Sequence, residues 1–153
     1  MYMSNPTRGA VAGFVASLVL AGVFYFKSSY DLMPEVNIIR LLANFGSLGE
    51  GSAWADHFIV GSLIWGLTFG AGASLTPHPP AWVKGIIFGI FAWLLTMVTF
   101  MPVAGSGFFG LKVGPMVAVW MLVLHVIFGF VLGLTYGLLT YCFPERPPEV
   151  AEG

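Results

Sequence analysis

The chain has 153 residues, of which 58% are hydrophobic and 8% charged, with a formal net charge of −1. An ordinary soluble domain carries roughly 25% charged residues, and thirteen charged side chains cannot cover the surface of a soluble protein of this size. A soluble enzyme and a disordered tail are therefore excluded, and without a basic surplus nucleic acid is excluded as a partner. What remains is a single membrane domain whose first partner is the lipid bilayer. A lone Cys142 rules out an internal disulfide framework and any multi-cysteine metal site.

A helix needs about 20 apolar residues to cross a hydrocarbon core of roughly 30 Å. The first predicted span covers about residues 9–26, between Arg8 and Lys27. It is long enough to span and reads as a retained helix rather than a secretory signal. Residues 35–46 follow Pro34 and place Ile38, Leu41, Leu42 and Phe45 on one helical face, which predicts a short interfacial helix. The second span covers about 57–74 and stops before Thr76-Pro77-His78-Pro79-Pro80. A third, about 85–103, starts behind Trp82 and Lys84. The Gly-rich stretch 104–115 is expected to expose Phe108 and Phe109 at headgroup depth. A fourth span covers about 117–141 and ends at Phe143-Pro144. Long apolar runs without alternating polar positions predict helices and argue against a membrane barrel. The expected fold is an all-α membrane protein with four transmembrane helices in a compact bundle.

Four spans put both termini and the 75–84 connection on one side, with Arg8, Lys84 and Arg146; Lys27, Arg40 and Lys112 fall on the other. Arg8 and Lys84 sit directly at span starts, where positive charge favours the cytoplasmic side, so both termini are expected in the cytoplasm.

The second half of the chain echoes the first. Arg8-Gly9 with Gly13 matches Lys84-Gly85 with Gly89. Met33-Pro34 matches Met101-Pro102, and His57 with Gly61 matches His125 with Gly129, both at an offset of 68 residues. Gly66 and Gly70 are answered by Gly133 and Gly137. Two spans per copy predict two parallel two-helix repeats about a pseudo-two-fold axis along the membrane normal. Lipid gives little hydrophobic drive for helix association, so Gly9, Gly13, Gly66, Gly70, Gly85, Gly89, Gly129, Gly133 and Gly137 are assigned to close helix packing.

Chemistry is sparse. The seven acidic residues are expected in loops or the tail, and no catalytic triad, phosphate-binding loop or H-E-x-x-H occurs. The Gly105, Gly107, Gly110 spacing has neither the preceding strand nor the following helix of a nucleotide site. Span hydroxyls such as Ser17, Ser62, Thr68, Thr96, Thr99, Thr135 and Thr140 are expected to bond back to their own helices. His57 and His125 are the ionisable residues of interest. The plain reading has each hydrogen-bonded to a neighbouring helix or headgroup. If both face inward, with a glycine four residues on leaving room for a flat macrocycle, they suit bis-His ligation of haem b; imidazole also suits copper or zinc.

Arg8-Gly9-x-x-x-Gly13, Leu32-Met33-Pro34-Glu35-Val36-Asn37 after the first span, and His57-x-x-x-Gly61 together resemble a group of small bacterial four-helix membrane proteins known only as a domain of unknown function. The similarity covers about residues 8–140. It implies a bacterial inner-membrane location and carries over no catalytic residue. The expected role is non-catalytic: an accessory or assembly subunit that joins other integral membrane subunits in a larger, energy-converting inner-membrane complex. The alternatives are a small b-type cytochrome using His57 and His125, or an oligomer that conducts a small solute.

Overall fold

The computed structural model describes residues 2–30, 50–75 and 78–145, and the interfacial helix expected at 35–46 lies outside them. Four helices account for most of the described residues, which contain no strand. Helix α1 is Asn5–Ser29. Helix α2 runs over 50–73, with α-helical ends Glu50–Ile59 and Leu67–Ala73 around a π-helical stretch Val60–Gly66. Helix α3 is Ala81–Val103, with a second π-helical stretch at Thr96–Phe100, and α4 is Met116–Cys142. Helices α1, α3 and α4 are long and apolar enough to cross a membrane, so this is a membrane protein.

The helix ends follow local chemistry. The Ser4 hydroxyl accepts the Thr7 N–H at 3.4 Å and caps α1, while Lys27 in its last turn suits the negative end of the helix dipole. Helix α2 begins about two turns before the span expected from hydropathy. Glu50 and Asp56, expected in a loop, therefore belong to its N-terminal part. An acidic residue costs a helix less than about 1 kcal/mol in intrinsic propensity, so the charges that ended the apolar run do not end the helix.

Consecutive helices pack antiparallel through glycine. A methyl on Gly9 would collide with the Gly66 carbonyl and lie 2.7 Å from Gly70 Cα; a methyl on Gly13 would collide with the Gly61 carbonyl. The α3–α4 pair repeats the contact: a methyl on Gly85 would collide with the Gly129 carbonyl and lie 2.8 Å from Gly133 Cα, and one on Gly89 would collide with the His125 carbonyl. Gly137 stays outside this seam, since a methyl there would meet only Ala81 Cβ at 3.3 Å. In contact terms Gly66 and Gly70 correspond to Gly129 and Gly133. The sequence match to Gly133 and Gly137 is thus one helical turn out of step, and the place of His125 is taken in α2 by Gly61 rather than His57.

The two pairs join through α1 and α4 around Ala12, Ala16, Leu20, Leu124, Phe128 and Leu132. At the end shared by the start of α1 and the close of α4, Met3 N–H bonds to the Pro144 carbonyl at 3.3 Å. Helices α2 and α3 meet at that same end, where Trp65 and Phe69 pack edge-on against Phe88 with centroids 5.7 and 5.3 Å apart. At the far end, 104–115 is a tight turn with positive φ at Gly105, Gly107 and Gly110. The glycine spacing that mimics a nucleotide motif is the signature of this turn. Phe108 is 64% exposed as expected. Phe109 is not paired with it outside: its φ of 55° turns the ring inward, 5.9 Å from Trp93.

Trp93 Nε1–H donates to the Ala118 carbonyl at 2.9 Å, a cross-link between α3 and α4. Interhelical hydrogen bonds in membranes average about 0.6 kcal/mol. Trp93→Phe is expected to lower stability by about 1 kcal/mol, including lost ring contact, measured by thermal unfolding in detergent.

Candidate ligand-binding site

The glycine seams hold the helices together toward the end where α1 begins and α4 closes. Next to these seams the four helices enclose a partly open cavity of about 260 Å³. Every helix contributes to it: Ser17, Leu20 and Phe24 from α1; His57, Val60, Gly61 and Trp65 from α2; Ala92, Leu95, Thr96, Thr99 and Phe100 from α3; Met121, Leu124, His125 and Phe128 from α4. Both π-helical stretches border it. A π turn widens the helix by one residue and shifts the side chains that follow, and such turns frequently accompany functional sites.

The structure brings His57 and His125 into this one cavity. The helix α2 begins early enough that His57 lies about two turns inside it rather than opening it. Its Nε2–H donates to the Ser17 carbonyl at 3.0 Å, and its ring sits among Phe24, Phe58 and Trp54 at centroid distances of 5.4, 5.3 and 6.1 Å. His125 Nδ1–H donates to the Met121 carbonyl at 2.7 Å. A carbonyl can only accept, so each bond fixes the position of one imidazole proton. In the neutral ring the other nitrogen, Nδ1 of His57 and Nε2 of His125, keeps its lone pair. Thr96 Oγ1 lies 3.4 Å from His125 Nε2 but donates its own proton to the Ala92 carbonyl at 2.9 Å.

Most span hydroxyls bond back one turn along their helices, as Thr68, Thr99 and Thr140 do to Ile64, Leu95 and Tyr136. Three depart from that expectation: Ser62, Ser17 and Thr135, the last of which makes no such bond among the described residues. Ser62 donates across the seam to the Ala10 carbonyl at 2.9 Å. Ser17, fully buried, has an Oγ with no partner, lodged against Gly61 where a methyl would collide with it. Neither the seating of Ser17 against Gly61 nor the π stretches carry a sequence signature, because both depend on which helix lies opposite.

The residues present fit a haem poorly. The room that Gly61 and Gly129 were expected to leave for a macrocycle is filled, by Ser17 Oγ and by the Gly85 backbone. No Lys or Arg is among the described lining residues to receive propionates. Among the described residues no group of three His, Cys, Asp or Glu side chains could hold a metal ion.

Arg8, read from the sequence as a positive charge at the start of the first span, is 2% exposed. Its Nε–H donates to the Phe143 carbonyl at 2.9 Å and Nη1 to Asn5 Oδ1, while Nη2 has no partner among the described residues. Tyr136 also donates to Asn5 Oδ1, at 2.9 Å. This cluster binds the start of α1 to the end of α4.

The model of a family of unknown function, DUF6789, matches residues 3–144, and the chain belongs to that family. No curated protein and no solved structure matches it.

Proposed function

We propose that this member of the DUF6789 family is a non-catalytic accessory or assembly subunit of a larger, energy-converting complex in a bacterial inner membrane. The observation that carries the reading is the outer surface. Phe14, Leu18, Tyr25 and Phe26 on α1, Leu63 and Ile64 on α2, and Ile87, Ile90, Phe91 and Leu94 on α3 all stand outward and exposed. Such faces need an apolar cover, which lipid and neighbouring membrane helices both supply.

In this reading α2 is the fourth membrane span, its polar first turns reaching the membrane surface. The repeated glycine contacts support two parallel hairpins about an axis along the membrane normal. Arg8 and Lys84 lie toward the same end and support a cytoplasmic placement of both termini.

Gentle solubilisation of native membranes, a native gel and mass identification of co-migrating chains test the proposal. Larger integral subunits in fixed stoichiometry are the expected result. Migration of the chain alone as a small particle removes the accessory role.

A further inference from the structure

We propose that the cavity between the four helices binds a neutral, ring-sized phenolic molecule of the hydroquinone class, with imidazole nitrogens accepting its hydroxyl protons. The inference does not depend on the assembly role.

Size sets the first limit. Pockets for drug-sized ligands run to about 300–1,000 Å³, whereas an apolar cavity of about 150 Å³ already takes benzene. At about 260 Å³ this cavity has room for one substituted ring. The lining sets the second limit. Phe24, Trp65, Phe100 and Phe128 offer aromatic faces and edges, and no charged side chain is among the described lining residues. An anion or a cation brought here from water would lose its hydration without a counter-charge, so the occupant is neutral and lipid-soluble.

Hydrogen-bond polarity sets the third. With His57 Nε2–H committed to the Ser17 carbonyl and His125 Nδ1–H to the Met121 carbonyl, the ring nitrogens left over are acceptors. Thr96 and Thr99 have spent their protons on Ala92 and Leu95. The site therefore has acceptors to offer and few protons, which favours a ligand that donates O–H. Ser17 adds no competing donor on the open side, since its side chain is fully buried against Gly61. A hydroquinone combines the apolar ring with two donors; the corresponding quinone, with acceptors only, faces the imidazole lone pairs without a proton between them.

The test is equilibrium dialysis of a radiolabelled short-chain benzohydroquinone against the full chain in lipid nanodiscs, with empty nanodiscs correcting for partition into lipid. Saturable, one-to-one retention is expected. The matched quinone and the hydroquinone dimethyl ether are expected to compete at least tenfold more weakly, because neither donates a hydrogen bond. His57→Phe and His125→Phe are each expected to weaken binding about tenfold while near-ultraviolet dichroism stays native. Retention no greater than in empty discs, or equal competition by the ether, overturns the proposal, and that comparison needs no variant to fold. Purified protein that carries a stoichiometric visible band lost in both histidine variants also overturns it, in favour of haem or metal. Failure of the dialysis leaves the native-gel result untouched, and the reverse holds as well.

Discussion

Gly85→Ala is expected to lower the stability of the protein by about 2–3 kcal/mol, the cost of forcing extra volume into a filled interface. The added methyl collides with the Gly129 carbonyl and lies 2.8 Å from Gly133 Cα and N, all of them backbone atoms that no rotamer change can move aside. Relief requires α3 and α4 to separate, and separation weakens every contact down the seam, since close approach through small residues is what holds membrane helices together. Gly9→Ala is expected to do the same to α1 and α2, where the Gly66 carbonyl and Gly70 Cα occupy the equivalent places. The controls are Gly22→Ala in α1 and Gly72→Ala in α2, where a methyl meets nothing within 4 Å. There the gain in helix propensity dominates, and stability is expected to rise by about 0.5–1 kcal/mol. Thermal unfolding in mild detergent, followed by circular dichroism, compares the four variants. If Gly85→Ala behaves like Gly72→Ala, the helices are farther apart than described.

Those glycines were legible in the sequence because their spacing reports which helix face they occupy, and helix periodicity is local. The early part of α2 was not, since Glu50 and Asp56 lower the hydropathy of a segment that is helical all the same. Pairing in space was harder still. His57-x-x-x-Gly61 and His125-x-x-x-Gly129 look alike in the chain, yet Gly13 rests on Gly61 and Gly89 on His125, so the histidines stand one turn apart in the packing. A seven-residue π stretch in α2 and a five-residue one in α3 alter register between the landmarks a sequence reading counts from. The cavity lies where those stretches fall, and its lining runs from Ser17 to Phe128, more than a hundred positions along the chain. Ser17 and Phe128 illustrate the difficulty: each is an ordinary span residue until the other is known to face the same space.

Arg8 makes the second large prediction. Burying a guanidinium that makes no ion pair among the described residues is unfavourable, and what offsets it are charge-assisted hydrogen bonds to the Phe143 carbonyl and Asn5 Oδ1. Bonds of this kind contribute about 1.5–3 kcal/mol each. Arg8→Ala removes both, leaves a void where the long stem packed, and orphans the Phe143 carbonyl; a loss of about 3 kcal/mol is expected. Arg8→Met keeps the stem and discards the buried charge. Asn5 Oδ1 still accepts from Tyr136 there, so only the Phe143 carbonyl goes unpaired, and a loss of about 1–2 kcal/mol is expected. The order of stability, native above Met above Ala, is the discriminating result in the same unfolding assay. Because the tether spans the first turn of α1 and the residue after α4, amide exchange should rise at both ends in Arg8→Ala and stay native at the Gly85–Gly129 seam. Equal exchange at both places would mean that the bundle opens as one unit and that Arg8 is not a local clasp. A Met variant more stable than the native chain would mean that the desolvation of the charge outweighs its two bonds, leaving Arg8 to fix the register of α1 against α4 at a net cost in stability.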